Sequence, residues 1–394
     1  MKMVTLDEVC ELIVDCEHKT APKQDSGYPS IRTPNIGRGY FILENVNRVS
    51  RETYEKWTQR AVPQYGDLII AREAPVGNVA MVPKGLEVCL GQRTVLIRPD
   101  QTKTDPRFLT YLLLGDEVQG SIHSQTNGAT VAHLNMRDIR GLKLPFLPDL
   151  PTQRKIAGIL SAYDDLIENN LRRIKILEEM AQSLYREWFV HFRFPGHESA
   201  KFVDSALGQI PKGWEVKKLG QVAKIVMGLS PKGDTYNDQG DGMPLVNGPV
   251  EFSERFTKRI KWTTSPTKTC KAGDLVVCVR GSTTGKNVKS DGEYCLGRGV
   301  CSISSEHQSF VDQMFANELP TLLGMTSGST FPSWTGPVLQ SHPVISPPKT
   351  LVAEFNRLAL PMSDTIQSLA FKNDNLRRAR DLLLPKLLSS PSPS

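Results

Sequence analysis

The sequence of 394 residues contains no apolar run near the roughly 18 residues that a membrane-spanning helix requires. Its first residues lack the basic-then-apolar order of a signal peptide, because Asp7 and Glu8 interrupt them. Cysteine is scarce and odd in number, with seven residues and no Cys-x-x-Cys pair. Free thiols are therefore expected rather than disulfides or a zinc site, and the protein is predicted to be cytoplasmic.

The sequence also lacks the signatures of catalysis. The segment from Gly281 to Asn287 imitates a phosphate-binding loop, but it is one residue short and Asn287 replaces the magnesium-binding Ser or Thr. Gly297-Arg298-Gly299 does not complete a dinucleotide fingerprint. The histidines are scattered, and no nucleophile elbow, catalytic-cysteine signature or methyltransferase Pro-Pro-aromatic motif is present. A recognition protein is therefore predicted, with no catalytic residues, no metal and no cofactor held by this chain.

Positive charge is in modest excess and is unevenly placed along the chain. Lys and Arg number 48 against 42 Asp and Glu, which gives a net charge of +6. Residues 1–150 are neutral overall, whereas residues 201–350 carry +4 and residues 351–394 carry +2. No basic tail or long run of like charges is present. This balance permits a nucleic-acid partner, provided that the fold gathers the basic residues onto one surface.

A long internal duplication is the most informative feature of the sequence. Gly66-Asp67-Leu68 recurs at 273–275, Cys89-Leu90-Gly91 at 295–297 and Leu171-Arg172-Arg173 at 376–378. The segment 126–130 is echoed at 326–330. These four matches occur in the same order at offsets of 200 to 207, a drift that small loop deletions would produce. Two similar globular units are therefore predicted.

Each repeat is predicted to combine a sheet-rich part of about 150 residues with a long helix. Short β-type runs such as 68–71, 76–82, 94–97 and 275–279 alternate with Pro and Gly. Between 153 and 188 the apolar spacing is instead 4, 3, 4, 3, the period of a coiled-coil seam. The seam residues are Ile156, Leu160, Tyr163, Ile167, Asn170, Ile174, Leu177, Ala181, Leu184 and Trp188. Asn170 is either a buried register-fixing residue or a residue at the solvated edge of the stripe.

The second helix follows the same period less regularly. Its seam is predicted at Leu351, Phe355, Leu358, Met362, Thr365, Leu369, Lys372, Leu376, Ala379 and Leu383. Pro361 is expected to kink or restart this helix, and Pro385 is expected to leave only a frayed turn. Two long apolar seams in one chain are most simply buried against each other, so an antiparallel pair is predicted.

Two similar units joined by helices suit the recognition of two short stretches of duplex DNA. Bases are discriminated by bidentate contacts from Arg to guanine and from Asn or Gln to adenine in the major groove. The polar loop residues proposed for this role are Arg72, Gln92, Arg93, His133 and Asn135 in the first unit, and Arg280, Lys286, Asn287, Arg298 and Trp334 in the second. Because the units are similar but not identical, their half-sites are expected to differ.

The chain resembles the specificity subunit of type I restriction–modification systems over essentially its whole length. The resemblance is carried by the Gly-Asp-Leu strand starts, by residues 210–220 (IPKGWEVKKLG) and by the Pro-rich approach to the first helix at 144–148 with 153–157. The helix segments 167–174, 185–189, 376–378 and 380–385 complete it. The start at Val4-Thr5-Leu6 lacks the Gly-Trp of 213–214, and the approach to the second helix lacks Gln-Arg.

This resemblance implies an α/β (α+β) fold in which two similar target recognition domains are separated by two long antiparallel coiled-coil helices with a pseudo-twofold repeat. The implied segments are recognition domains at 1–150 and 196–350, spacer helices at 151–195 and 351–390, and a disordered tail at 391–394. The implied role is a non-catalytic subunit that binds a bipartite, asymmetric double-stranded DNA target. It would direct adenine-N6 methylation by two methyltransferase subunits and ATP-dependent cleavage by restriction subunits.

The implied cofactors, S-adenosylmethionine, ATP and Mg²⁺, are used by the partner subunits and not by this chain. The alternatives that the sequence leaves open are a protein-interaction scaffold, whose coiled coil binds only protein, and a self-contained DNA methyltransferase or endonuclease. The missing motifs disfavour the second alternative, and the basic excess after residue 200 disfavours the first.

Overall fold

The structure is a computed structural model that describes residues 3–126, 133–145, 147–325 and 332–389. The predicted tail at 391–394 and most of the repeated motif at 126–130 and 326–330 lie outside these residues. Within the described ranges, no helix is both long enough and apolar enough to cross a membrane. The chain divides into two compact units: unit 1 runs to Asn169 and resumes at Asn373, and unit 2 runs from Asn170 to Lys372.

Unit 1 contains a four-stranded antiparallel sheet, a small mixed sheet and flanking helices. Its strands are β1 (Val4–Thr5), β2 (Cys10–Asp15), β3 (Tyr28–Ile31), β4 (Arg48–Val49), β5 (Leu68–Ala71), β6 (Val79–Met81), β7 (Cys89–Leu90), β8 (Thr94–Pro99) and β9 (Lys143–Leu144). Its helices are α1 (Arg51–Trp57), α2 (Pro106–Leu114), α3 (Asp116–Thr126), α4 (Met136–Arg140) and the first part of α5 (Leu150–Tyr185). The strand orders are β2-β8-β5-β6, β4-β3-β7 and β1-β9, with β3 and β7 parallel.

Unit 2 repeats this topology with additional strands. Its strands are β10 (Phe202–Ser205), β11 (Gly208–Pro211), β12 (Glu215–Lys218), β13 (Lys224–Met227), β14 (Tyr236–Asn237), β15 (Met243–Val246), β16 (Trp262–Thr263), β17 (Thr269–Cys270), β18 (Leu275–Cys278), β19 (Asn287–Lys289), β20 (Tyr294–Leu296), β21 (Val300–Ser304) and β22 (Pro343–Ser346). Its helices are α6 (Leu219–Val222), α7 (Gln308–Gly324), α8 (Gly336–Ser341) and the first part of α9 (Lys349–Leu388). The strand orders β13-β21-β18-β19, β14-β16-β15-β20-β17 and β12-β22 contain every pairing of unit 1, and β15 and β20 are again parallel.

One of the two central strands of each four-stranded sheet, β5 in unit 1 and β18 in unit 2, is buried on both faces. Leu68 and Ile70 of β5 pack into a core with α2, whereas Ile69 and Ala71 pack into a second core toward β3 and β7. In unit 2, β18 divides in the same way, with Leu275 and Val277 in one core and Val276 and Cys278 in the other. A strand that is covered on both faces needs an apolar residue at every position. Both strands are therefore continuous apolar runs and do not show the alternation of apolar and polar residues that is typical of a half-exposed strand.

The repeated Gly-Asp-Leu sequence marks the same turn in both units. Gly66 and Gly273 adopt left-handed backbone angles, with φ of 91° and 86°, which glycine reaches without steric cost. The carboxylate that follows accepts a backbone hydrogen bond across the turn, from Gln64 N to Asp67 (2.8 Å) and from Lys271 N to Asp274 (2.9 Å). The matched turns and strand orders confirm the predicted duplication.

Helix α5 follows the predicted seam. Every seam residue from Ile156 to Trp188 is buried or half-buried, and Asn170 is only 3% exposed, so it lies inside the stripe and not at its solvated edge. The α-helix ends at Tyr185, and a π-helical turn continues from Arg186 to Val190. The aromatic rings of this turn enter the core of unit 2, where Trp188 meets Phe355 edge-on at 6.1 Å between centroids.

Helix α9 corrects two expectations. It continues through Pro361 to Leu388, so Pro361 neither ends nor restarts it. A proline removes a single N–H from the ladder, and burial of the neighbouring seam residues offsets that loss. Lys372 is exposed, and the buried residue of that turn is Asn373, at 1% exposure, whose amide donates to the Ile167 carbonyl (3.4 Å).

Within unit 1 the two helix segments run antiparallel. Asn373 lies beside Ile167, and Arg380, later in α9, donates to Asp164, which is earlier in α5. The Asp164 carboxylate also accepts the Tyr111 hydroxyl at 2.5 Å. Helix α2 is thereby joined to both segments by one carboxylate. The predicted antiparallel pairing of the helices is confirmed.

The thiols are expected to react slowly with alkylating reagents in the native state. All seven cysteines are free, and six are buried. Burial raises the pKa of Cys301 from an ordinary 9.0 to about 12 and that of Cys270 to about 11. Since the thiolate is the reactive form, these groups should react at least about 100-fold more slowly at pH 8 than in the unfolded chain.

A stopped-flow assay with a chromogenic disulfide, with and without urea, measures this difference. The same shifts predict that stability falls as pH rises above about 9, because thiols then ionise in the unfolded chain while the folded chain keeps them protonated. Rapid labelling of Cys301 in the native protein would contradict the burial described here.

Candidate nucleic-acid interface

In unit 1, several predicted residues meet at one end of the four-stranded sheet. This surface, the unit 1 edge, consists of the end of β2 at Asp15, the β5–β6 loop at 72–78, the β7–β8 loop at 91–93 and the segment 133–135. Backbone hydrogen bonds join the loops, from Arg72 N to Arg93 O (2.9 Å) and from Leu134 N to Arg72 O (2.9 Å). Residues far apart in the sequence are therefore held side by side.

Arg72 is a buried structural residue, which corrects its assignment as a base-reading candidate. It is 6% exposed, and its guanidinium donates to Asp15 (2.6 Å), to the Leu134 carbonyl (2.9 Å) and to His133 Nε2 (2.9 Å). A buried guanidinium needs such a complete set of acceptors, because an unpaired buried charge is costly. Arg72 therefore organises the unit 1 edge from beneath.

Glu73 connects two candidates of this edge, the half-buried His133 and the exposed Arg93. Its carboxylate lies 3.1 Å from His133 Nδ1 and 2.6 Å from Arg93 Nη1. Arginine can only donate, so His133 Nε2 accepts from Arg72 and Nδ1–H donates to Glu73, which occupies both ring nitrogens. A chain of charge-assisted hydrogen bonds thus runs from Asp15 through Arg72, His133 and Glu73 to Arg93.

Arg93 is the most prominent cation of the unit 1 edge. Its side chain is 61% exposed, and its backbone is left-handed with φ of 65°. A non-glycine residue in this region costs on the order of 1 kcal/mol or more and is enriched at functional sites. The strain and the Glu73 contact together fix the direction of a side chain that still faces solvent.

The other unit 1 candidates are less constrained. Gln92 is half-buried at a shallow groove that is lined by Ser30, Arg32 and Asn47. Asn135 is exposed at the N-cap of α4, where its side chain makes no capping hydrogen bond. Both amides are therefore placed at the surface beside the charged chain.

Asp15, Cys16 and His18 have potential metal-ligand atoms within 4.8 Å of one another. The chemistry of these atoms does not suit a metal. The Asp15 oxygen that faces His18 also accepts from Arg72 at 2.6 Å, and burial raises the pKa of the Cys16 thiol. A metal would have to displace a guanidinium and deprotonate a buried thiol, so the group is better described as part of the hydrogen-bonded edge.

In unit 2, the corresponding surface, the unit 2 edge, consists of the end of β13, the β18–β19 loop, the β20–β21 loop and residues 332–335. Arg280, Lys286 and Arg298 are exposed there. Asn287 is half-buried and donates its amide to Gly285 O (2.9 Å). Gly281 N donates to Pro332 O (3.0 Å), so the glycine-containing segment is a turn that is held against Pro332.

Trp334 is wrongly assigned as a DNA-contacting residue by the sequence. It is 1% exposed, packs in the core of unit 2, and donates its indole N–H to the Leu322 carbonyl (2.9 Å). A side chain with its polar atom satisfied internally and its rings enclosed cannot reach DNA without local unfolding. Polar and small residues such as Ser333, Thr335 and Gly336 surround Trp334 in the sequence and are typical of an exposed loop, so the sequence does not reveal its burial.

A set of cations that the sequence did not single out lies in unit 2. The basic strap consists of Lys258, Arg259 and Lys261, which are all exposed and make no salt bridge with another described residue. Lys261 lies 5.8 Å from the Tyr236 ring centroid. The run Lys-Arg-Ile-Lys is visible in the sequence but is too short to count as a basic tail.

Known proteins resemble this chain over nearly its whole length. The family model of the type I restriction modification DNA specificity domain matches residues 1–179 and 211–350. A Methanocaldococcus jannaschii chain named as the MjaX specificity subunit of a type I restriction enzyme is 26% identical, over 98% of this chain and 92% of its own length. The MjaIX specificity subunit of the same organism is 24% identical over 88% of this chain and 82% of its own length.

A solved structure has the same fold. The crystal structure of the type I restriction–modification S subunit from M. genitalium superposes with a TM-score of 0.64 at 14% identity, and the match covers 99% of this chain and 96% of that chain. The architecture predicted from the sequence, with two similar mixed α/β units and two long helices, is thereby confirmed. With most of its length matched by the family model, the chain belongs to the type I restriction–modification specificity family, as a DNA-recognition subunit.

Proposed function

We propose that this chain reads a bipartite, asymmetric DNA target, one half with each unit, for a type I restriction–modification complex. The observation that carries this proposal is the pair of topologically matched edges that bear different polar side chains. The matched backbone topology indicates that both edges bind DNA in the same way, and their different side chains suit two different base sequences. A protein-interaction scaffold would not require two matched edges with different polar side chains.

The exposed residues supply the required chemistry. Arg93, Arg280 and Arg298 could each donate two parallel hydrogen bonds to guanine O6 and N7, and Gln92 and Asn135 could pair with adenine. Lys286 and the basic strap suit phosphate contacts, which position the duplex without reading its sequence. We assign His133 a structural role within the edge and not a base contact, because both of its ring nitrogens are occupied, Nε2 by Arg72 and Nδ1 by Glu73.

The partners proposed are two methyltransferase subunits and, in the full complex, restriction subunits. Apolar side chains on the helices remain exposed, including Ile159 and Leu166 in unit 1, and Ile176, Met180 and Phe371 in unit 2. Such surfaces on otherwise charged helices are typical of protein interfaces. We assign S-adenosylmethionine, ATP, Mg²⁺ and all catalysis to the partners, and we propose that the complex is cytoplasmic.

Exchange of one unit is expected to change one half of the target. In a host without other adenine methylation, this chain and its methyltransferase should produce N6-methyladenine at a split motif in a genome-wide map. Replacing residues 1–150 with the corresponding segment of a relative should alter one half and leave the other unchanged. Alteration of both halves would contradict modular reading, and DNA binding that is absent or independent of salt would favour the scaffold.

A further inference from the structure

The two edges can be compared residue by residue, because the same backbone hydrogen bonds frame both. Arg72 N donates to Arg93 O and Val279 N donates to Gly299 O, each at 2.9 Å. Leu134 N donates to Arg72 O and Trp334 N donates to Val279 O, again at 2.9 Å. The pairs 72/279, 93/299 and 134/334 are therefore equivalent positions.

Further bonds extend the correspondence to the neighbouring strands. Cys16 N donates to Thr94 O (3.2 Å) where Gly228 N donates to Val300 O (3.0 Å). On the other side, Ala71 N donates to Asn78 O and Cys278 N donates to Lys286 O, each at 2.8 Å. The equivalent residues adjoining these bonds are Asp15 and Met227, Arg72 and Val279, Glu73 and Arg280, Arg93 and Gly299, and His133 and Ser333.

The side chains at these five positions differ in kind between the units. In unit 1 they form the continuous charged chain from Asp15 to Arg93. In unit 2 the same positions hold a thioether, an isopropyl group, a glycine and a hydroxyl around Arg280. Arg280 is exposed, and its guanidinium forms no salt bridge with another residue that the structure describes.

We propose that positions 73 and 280 determine the specificity of the two half-sites, Glu73 by positioning Arg93 and His133, and Arg280 by reading a guanine directly. This inference rests on the proposed function and adds which residues carry the difference between the halves. At this equivalent position, unit 1 has the Glu73 carboxylate, which contacts Arg93 and His133, and unit 2 has Arg280, which forms no salt bridge with another described residue. Guanine presents two major-groove acceptors that match a guanidinium fork.

Glu73 acts through other residues, because it lies beneath them. Its side chain is 15% exposed, against 61% for Arg93 and 37% for His133. Replacing the Glu73 carboxylate by an amide keeps the shape of the side chain. The amide is uncharged, so the charge-assisted hydrogen bond to Arg93 is lost, and its NH2 group donates where a carboxylate oxygen accepted. Arg93 and His133 would then sample several directions, and base discrimination in one half-site would loosen.

The test uses the complex with its methyltransferase and a genome-wide N6-methyladenine map. Arg280→Gln is expected to relax one base of a single half-site, with preference for the original base falling roughly 5- to 150-fold. Glu73→Gln is expected to relax the other half-site and to slow its methylation about tenfold. Lys271→Gln and Glu117→Gln, which change exposed residues of the same units, should leave the motif intact.

The melting temperature separates positioning from damage to one unit. A misfolded unit would lower the melting temperature, whereas the proposal requires one degenerate half-site with melting unchanged. An intact wild-type motif that neither variant relaxes would overturn the assignment of positions 73 and 280. A wild-type complex that methylates no motif and does not bind DNA would overturn the proposed function instead.

Discussion

Truncating Trp334 to alanine is expected to lower the free energy of unfolding of unit 2 by about 3–5 kcal/mol, the usual cost of removing a large aromatic side chain from a core. Trp334 is one of the largest fully buried side chains, and Gly285, Leu319 and Leu323 lie around it. The truncation would leave a cavity and remove one of the two hydrogen bonds that the Leu322 carbonyl accepts, the other coming from Met325 N (3.1 Å). Urea titration followed by amide hydrogen exchange of β18 and β21 measures the loss for this unit.

A matched control is available in the same unit. Trp262 is half-buried in the short strand β16, so Trp262→Ala should cost clearly less. Trp334→Leu places at this position the residue that unit 1 uses, Leu134, which is fully buried. It should retain part of the stability. If Trp334→Ala instead kept full stability and abolished DNA binding, the indole would have to face DNA, against the burial described.

The parts of the fold that were predictable from sequence are those with a local or repeated signal. The seam of α5 was recognisable because a heptad repeats its apolar residues at fixed spacing, whatever lies on the other side. The duplication was recognisable because turns such as Gly66-Asp67-Leu68 and 273–275 need the same backbone geometry twice. The uninterrupted continuation of α9 through Pro361 was not predictable, because the effect of a proline depends on the tertiary contacts of the whole helix and not on local propensity alone.

The candidate site was predictable only in part, because it is assembled from distant strands. The exposure of Arg93, Arg280 and Arg298 was predictable because charged side chains in loops usually remain at the surface, and their base contacts stay a prediction. Arg72 and Trp334 look like loop residues in the sequence, yet the structure buries both. Asp15 and Glu73 were missed because no local pattern places the end of β2 beside the β5–β6 loop. Their roles become visible only through the register of β2, β8 and β5.

The duplicated frame also exposes a difference in charge between the units. Ser30 N donates to Asn47 O and Leu245 N donates to Lys261 O, each at 2.8 Å, so residues 44–47 and 258–261 are equivalent segments. Unit 1 has Glu-Asn-Val-Asn there, and unit 2 has Lys-Arg-Ile-Lys. The apolar third residue is common to both, whereas the polar positions change from net −1 to net +3. The excess charge of unit 2 is thus concentrated on one segment.

Neutralising the basic strap is expected to weaken DNA binding for all sequences alike. Each phosphate contact contributes about 0.9 to the slope of log K against log salt, so Lys258→Gln, Arg259→Gln and Lys261→Gln combined should reduce that slope by up to roughly 3. The effect follows from fewer released counterions and does not involve base contacts, so the methylated motif should stay the same. Fluorescence anisotropy of the methyltransferase complex on specific and non-specific duplexes, at several salt concentrations, measures the slope.

A second triple variant, with the same change of charge outside the basic strap, distinguishes phosphate contact by the strap from an effect of net charge. Lys56, Lys84 and Lys143 are exposed in unit 1, and replacing all three by Gln removes three charges without altering the strap. Long-range attraction would lower the slope equally in both triple variants, whereas phosphate contact lowers it only in the strap variant. Grafting Lys-Arg-Ile-Lys onto residues 44–47 should in turn steepen the slope. Residues 44–47 and 258–261 occupy equivalent positions in the two units. If the slope of log K against log salt changed neither when the strap was neutralised nor when it was grafted, this segment would not contact the DNA backbone in either unit.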